Sequence, residues 1–360
     1  MKKIFFSIVA IAALAACSKS EVAYEPTDEI GFMAVAGNMT KTAVEGTAYP
    51  TSLNMFIYAE TADNELYIEN GEFKHKGLYQ DVTEDTQHDK NPNVWAGWDG
   101  SNWDPYYWPN TKKLHFAGYT KSGNVTDADV DVDYDFTNKT LTIEGYQPGN
   151  GVDNDLMFFP LTADYGKGDK YVPVNMYHTC AWITFLVKGD GVTGITGSTY
   201  SVNSLTITDI YETGDLTCTE DNVQWDYTAN SYLKTATSTV LTNGSNVPLA
   251  GTYTDEDTVA PVSAETNRGS TVLLPQVPGK LNLKYSYTSP AREPVAEEVV
   301  LDLGLDAKVE DDNTGDDVNK TPWEAGKHYI YTITIKANEI LIAPSVAVDW
   351  TDGNFNVTVE

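Results

Sequence analysis

The thiol of Cys17 is the side chain whose position most directly prescribes a covalent chemistry. It directly follows Leu14-Ala15-Ala16, at the end of an apolar run that begins at Ile4, behind Lys2 and Lys3. Two cations, a short apolar stretch and small residues at a cut are the layout of a secretory leader. The run is too short to cross a bilayer as a helix, which takes about 20 apolar residues. Residues 1–16 are therefore read as signal peptide and 17–28 as a lipidated tether, because 18–28 are polar, aperiodic and contain Pro26. The competing reading is an ordinary leader cut nearby with an incidental cysteine.

Other reactive side chains form no such pattern. His75, His88, His115, His178 and His328 are scattered, with no short metal-ligand spacing among them. No Gly-x-Ser-x-Gly elbow, phosphate loop or dinucleotide fingerprint is present. Among 52 carboxylates, pairs that meet in space for glycoside hydrolysis carry no sequence signal. Asp127, Asp129, Asp131, Asp133 and Asp135 alternate, which puts all five on one face of a strand or in a solvated loop. A calcium loop counted from Asp127 has Val132 where glycine is needed and Asn138 where the closing glutamate is needed; the acidic stretch from Glu310 has Thr321 at its closing position. The expectation is no catalytic residue, no metal, no cofactor and no enzyme. Removing residues 1–16 takes two lysines from a chain of net charge −29, leaving −31, which argues against a nucleic-acid partner.

Residues 95–108 hold Trp95, Trp98, Trp103, Tyr106, Tyr107 and Trp108, interleaved with Asp, Asn and Gly. Flat aromatics beside polar groups can stack on sugars or make protein interfaces, so Trp95, Trp98 and Trp103 are read as a ligand surface for a host or bacterial glycan or protein. The structural alternative is that Tyr107 and Trp108, bracketed by Pro105 and Pro109, plug the end of a β-sandwich.

These residues must be positioned by strands. Short apolar or alternating runs bounded by Gly, Asn, Asp and Pro occur at 29–36, 52–59, 113–119, 140–146 and 155–159. A second set lies at 172–176, 181–187, 202–210, 270–275, 280–288, 297–303, 329–336, 339–342 and 355–359. No window has three turns of capped 3.6-residue periodicity, so the fold class is all-β. The 22 tyrosines argue against disorder despite the charge. The polar stretch 164–170 is the expected seam, dividing an N-terminal sandwich domain, 29–168, from a C-terminal one, 169–360. Cys180 and Cys218 remain after Cys17, and their pairing is left open.

The chain ends carry a further pattern. The apolar strand at 29–36 includes Ile30, Phe32 and Ala34, and its following loop holds Lys41, the one basic residue between Lys19 and Lys74. A trypsin-like cut between Lys41 and Thr42 would remove that strand with the lipid and leave an apolar groove flanked by unpaired backbone, a template for another chain's strand. The C-terminal stretch is apolar at Phe355, Val357 and Val359 and polar between them. It reads as a strand that pairs within its own domain or in another subunit.

Leu14-Ala15-Ala16-Cys17 resembles the bacterial lipobox, which implies a cut before Cys17 and a lipid on its sulfur. The order of that motif, the first strand with its basic loop, Ser52-Leu-Asn-Met-Phe-Ile-Tyr-Ala59, Tyr106-Tyr-Trp-Pro109 before Leu114-His-Phe-Ala-Gly-Tyr119, and Asp155-Leu-Met-Phe-Phe resembles the fimbrillin-like family, the type V pilus subunits. The segment from Val172 to Val187, and Trp323-Glu-Ala-Gly326 followed by Val346-Ala-Val-Asp-Trp350, extend the resemblance over nearly the whole chain. It implies two transthyretin-like β-sandwich domains, export as a lipoprotein precursor to the outer membrane and cell surface, and polymerisation with other pilus subunits, like or unlike, into a fimbrium. By position, Ile30, Phe32 and Ala34 belong to the displaced strand, Lys41 and Thr42 flank the cut, and Phe355, Val357 and Val359 belong to the donor strand. The best-known members are cut after arginine, where this chain has lysine. A surface lipoprotein or pilus-tip adhesin acting through 95–108 is the alternative.

The terminal alternation yields a direct test. Val357→Asp is expected to suppress SDS-resistant ladders while leaving the monomer's melting temperature unchanged. A lower melting temperature would assign the strand to its own domain.

Overall fold

The computed structural model describes residues 29–36, 54–75, 94–120, 125, 130–148, 155–169, 171–189, 199–228, 236–242, 246–248, 268–289, 292–303, 322–336, 340–342 and 346–349. Among these residues the regular structure is all strand. In chain order the first thirteen are β1 (Gly31–Ala36), β2 (Met55–Thr61), β3 (Leu66–His75), β4 (Val94–Gly97), β5 (Leu114–Thr120), β6 (Asp131–Asp135), β7 (Thr140–Tyr146), β8 (Met157–Phe159), β9 (Val172–His178), β10 (Ala181–Gly189), β11 (Thr199–Ile210), β12 (Gly214–Cys218) and β13 (Val223–Asp226). The remainder are β14 (Ala236–Thr242), β15 (Asn246–Pro248), β16 (Arg268–Leu273), β17 (Lys280–Ser289), β18 (Arg292–Asp302), β19 (Lys327–Ile335), β20 (Ile340–Ile342) and β21 (Val346–Asp349).

Seven strands close a barrel in the order β1-β4-β3-β2-β5-β8-β9, with β1 returning to β9. Each neighbouring pair is antiparallel except β1 and β9, which run parallel. Period-two alternation explains how one strand serves two cores. Met55, Ile57 and Ala59 of β2, with Leu114 and Phe116 of β5, fill the barrel interior. The intervening Tyr58, Ala117 and Tyr119 face outward, into a second core shared with Leu141, Ile143, Leu216 and Cys218. That second core lies beneath a four-stranded sheet, β13-β12-β7-β6. Two-sided burial is why β2 and β5 read as nearly continuous apolar runs.

The remaining strands form two five-stranded sheets, β16-β10-β19-β20 with β21 on β19, and β14-β11-β17-β18 with β15 on β11. Ile183, Phe185, Val202, Leu205, Leu281, Leu283, Tyr331 and Ile333 meet between them as one sandwich core. Trp323 is buried there, its indole N–H donating to the Tyr331 hydroxyl at 2.8 Å.

The seam expected at 164–170 does not coincide with the sheets. Tyr165 exchanges two backbone hydrogen bonds with Leu114 of β5, at 2.7 and 2.8 Å, and β9 beyond it completes the barrel. β12 also lies past 168, yet pairs with β7. The chain passes from barrel to sandwich at Thr179-Cys180. There Thr179 donates its N–H and its hydroxyl to the Leu156 carbonyl at 3.0 and 2.7 Å. The Trp225 indole donates to the Thr179 carbonyl at 2.7 Å, and Gly326 N–H donates to the Cys180 carbonyl at 2.9 Å. Of the alternating acids, Asp131, Asp133 and Asp135 lie in β6 opposite β7. Asp131 and Asp133 are exposed and Asp135 half-buried, while Tyr134, between Asp133 and Asp135, turns inward and is buried, which is the solvated-face pattern.

Burial also sets the alkaline behaviour. Desolvation, with smaller contributions from neighbouring carboxylates, other phenols or, for Tyr227, the Cys180 thiol, raises the phenols of Tyr58, Tyr119, Tyr134 and Tyr227 well above their ordinary value of 10.0, and Tyr329 to about 12. The unfolded chain loses these protons first, so their stabilising contribution is complete below about pH 10 and falls as pH rises through the folded values. Titration at 295 nm is expected to show a second tyrosinate phase that coincides with loss of near-ultraviolet circular dichroism.

Candidate functional site

The first strand occupies the place where the barrel closes. On one side, Gly31, Phe32 and Met33 pair antiparallel with Ala96, Trp95 and Val94 of β4. On the other, Phe32, Met33, Ala34, Val35 and Ala36 pair parallel with Val172, Pro173, Val174, Asn175 and Met176 of β9. The pairing starts just before β1, where Ile30 N–H donates to the Tyr106 carbonyl at 2.8 Å and Glu29 bridges Tyr107. Ile30 and Phe32 are both fully buried. The Phe32 ring meets Phe73 and Phe116 edge-on, at centroid distances of 4.9 and 5.1 Å, and tilts toward Phe159 at 6.4 Å. Val172, Val174, Met176 and Trp95 complete the same core. Ile30 and Phe32 thus pack into the barrel interior, and Ala34 continues the ladder opposite Val174. The groove beneath them is lined by Phe73, Phe116 and Phe159. Sequence reading did not assign Phe73 to a strand, because β3 is mostly exposed before it.

The aromatic segment splits into different environments. Trp95 is 0% exposed, its ring 4.8 Å from that of His75, so it is a core residue opposite Phe32 and not part of a ligand surface. Trp108 is buried against Phe116 at 5.8 Å, as the plugging alternative expects, while Tyr107 is half-buried. Trp98 and Trp103 stand apart from this core. They bridge each other across a loop, rings 5.2 Å apart at 74°, with the Lys74 ammonium 4.3 Å from the centre of the Trp98 ring. Gly97 is required at the base of the loop: Asp104 N–H donates to its carbonyl at 3.0 Å, and a Cβ there would run into the Asp104 carbonyl oxygen. Cys17, Lys41, Thr42, Phe355, Val357 and Val359 lie outside the described residues.

Two polar clusters bring histidine and carboxylate side chains together. Asp155 and His178 are both buried, with His178 Nδ1 against the Asp155 carboxylate, and they join the start of β8 to the end of β9. His115 lies between Glu60, 2.7 Å from Nε2, and Asp164, 3.3 Å from Nδ1. The pair of carboxylates tethers the strand β5 to its flanking segments. Among the described residues, no three His, Cys, Asp or Glu side chains are grouped to hold a metal ion. Cys180 and Cys218 are both buried free thiols in the second core, and burial raises each above its ordinary value. Among the same residues no helix is long and apolar enough to cross a membrane.

The described residues thus form a barrel closed by β1 between strands distant in sequence, joined to a β-sandwich. The fimbrillin-like family model matches residues 70–350, and the chain belongs to the fimbrillin-like family. Residues 1–18 match the prokaryotic membrane lipoprotein lipid attachment site, making this a lipoprotein of the cell surface, anchored at the outer membrane. A fimbrial protein from Bacteroides vulgatus has a similar fold, with 13% identity, TM-score 0.53, and coverage of 89% of this chain and 99% of that one. Proteins assigned to cell adhesion from Bacteroides ovatus and Bacteroides uniformis are also similar. They show 11% and 16% identity, TM-scores of 0.49 and 0.44, coverage of 92% and 90% of this chain, and 100% and 99% of their own. No curated protein matches the chain.

Replacing the Phe32 ring leaves a cavity among three other rings. Phe32→Ala is expected to lower unfolding stability by about 3–5 kcal/mol, read by urea denaturation of the unprocessed protein.

Proposed function

We propose that this protein is a structural, non-catalytic subunit of an adhesive pilus, built from two transthyretin-like sandwich domains and polymerised by donor-strand exchange with like or unlike subunits. The observation that carries this reading is the two-sided pairing of β1 between β4 and β9. Its loss exposes two backbone edges and an apolar trough at once, the requirements for capturing an extended segment.

Three further features support it. β1 lies before every other described strand in the chain, so removing it breaks no connection between the others. β9 contains Pro173, exposed and opposite Met33; proline is ordinarily confined to edge strands, so β9 carries an edge signature beneath the strand that covers it. Arg268 and Arg292 are both within strands, paired with Leu186 and Ser289. That makes them poor substrates for a protease that binds extended backbone, and favours Lys41 as the processing site.

In this reading Lys41–Thr42 is cut after the Cys17 lipid has delivered the precursor to the outer membrane. Phe355, Val357 and Val359 of a neighbour then enter where Ile30, Phe32 and Ala34 had been. A donor strand burying alternate apolar side chains contributes on the order of 10 kcal/mol before entropy costs. Backbone pairing along both edges slows dissociation.

N-terminal sequencing and intact mass of the surface-extracted protein, beside an unboiled gel, test this. A start at Thr42 with an SDS-resistant ladder is the expected result. A lipidated Cys17 start with no ladder would overturn polymerisation by exchange.

A further inference from the structure

We propose that the loop carrying Trp98 and Trp103 is a binding platform for a neutral saccharide, distinct from the β1 groove and independent of its role in assembly. The two rings meet edge to face as a corner, 5.2 Å between centroids and 74° between planes, and Trp103 is 41% exposed.

The corner is held in place by its backbone. Asp99 accepts the N–H groups of Ser101 and Asn102 at 2.8 and 2.6 Å, and its own N–H donates to the Asn102 carbonyl at 3.0 Å. Trp98 N–H donates to the Glu72 carbonyl of β3 at 2.8 Å, and Asp104 closes back on Gly97. These bonds hold the loop backbone before a ligand arrives, which lowers the ordering cost left for binding. Ser101, Asn102 and Asp104 are exposed beside the rings and offer hydroxyl, amide and carboxylate groups.

The size and charge of this surface select the ligand class. A tryptophan side chain offers roughly 150–250 Å² in all, so the exposed part of Trp103 presents on the order of 100 Å². That matches the C–H face of one sugar ring and falls far short of the roughly 800 Å² per partner of a stable protein interface. The polar rim supplies partners for equatorial hydroxyls. A chain of net charge −29 repels acidic polymers at long range, and the Lys74 ammonium is engaged with the Trp98 face, so the neutral class is favoured over uronic or sialic chains. Repeated along a fibre, a weak site of this kind gains strength through multivalency.

The test is titration of the detergent-solubilised full chain with cellohexaose, mannohexaose and galactohexaose, and with polygalacturonate, followed by tryptophan fluorescence and calorimetry. At least one neutral hexaose is expected to bind, with Trp103→Ala weakening it about tenfold and Trp103→Phe retaining most of the affinity. Unchanged circular dichroism of both variants would show that the fold is intact. Absence of binding to all three neutral hexaoses, affinity unaffected by Trp103→Ala, or preference for polygalacturonate would each overturn the proposal. Should Trp103→Ala misfold, Trp103→Phe set against Trp103→Leu, which keeps bulk without a ring, decides the same question.

Discussion

Closure of the barrel depends on Phe32. Its ring is enclosed edge-on by Phe73 and Phe116 and tilted against Phe159, while its backbone is paired to strands on both sides. Those rings come from β3, β5 and β8, so one side chain links most of the barrel wall to the seam. The six other strands form an antiparallel path that ends on β4 at one side and on β9 at the other. Without β1, each would present unpaired amides and carbonyls beside an apolar trough, and buried polar backbone left unpaired is costly. The closing strand is thus central in energy and peripheral in connectivity. That combination is what the proposed removal of the strand on assembly requires.

The junction at Thr179-Cys180 imposes a second constraint. Four hydrogen bonds converge on two buried residues, from the segment before β8, from β13 and from the turn before β19. A linker whose Thr179 N–H and both carbonyls are held by surrounding elements cannot hinge without breaking those bonds. β13 supplies one of these bonds after returning from the sandwich side of the sequence to cover the barrel, which is why the outer sheet and the junction belong to a single packed unit. Cys180 and Cys218 lie within that unit as buried thiols, shielded by the same packing.

The aromatic segment illustrates how neighbouring residues of one type acquire different work. Trp95 and Trp98 are three positions apart, yet one faces Phe32 in the core and the other stands over Lys74 at the loop. Period-two alternation in β4 turns Trp95 inward, and Gly97 then ends the strand with a close backbone approach that carries Trp98 outside. Composition alone gives all of these rings equal claim to a surface or a core. The same holds for Tyr106, whose carbonyl pairs with Ile30 while its ring stacks 5.4 Å from Phe73.

Local patterns in the chain determined the all-β class, the lipid attachment motif and most of the strands with a strong apolar run, including β1, β2, β5, β9, β10 and β19. These signals are local: a two-residue period, turn residues and a short leader are read without knowing any partner. The weaker strands β3, β4, β12 and β13 escaped, since β3 and β13 are largely exposed, and β4 and β12 are only four and five residues long and carry glycine at one end. The tertiary structure alone decided that β1 sits between β4 and β9, that the true passage between sheets is at 179–180 and not at the polar stretch 164–170, and that Trp95 is inside. Each of those depends on which distant edges pair. Register and neighbour choice are set by the summed burial of two strands against a third, a quantity that no single segment contains.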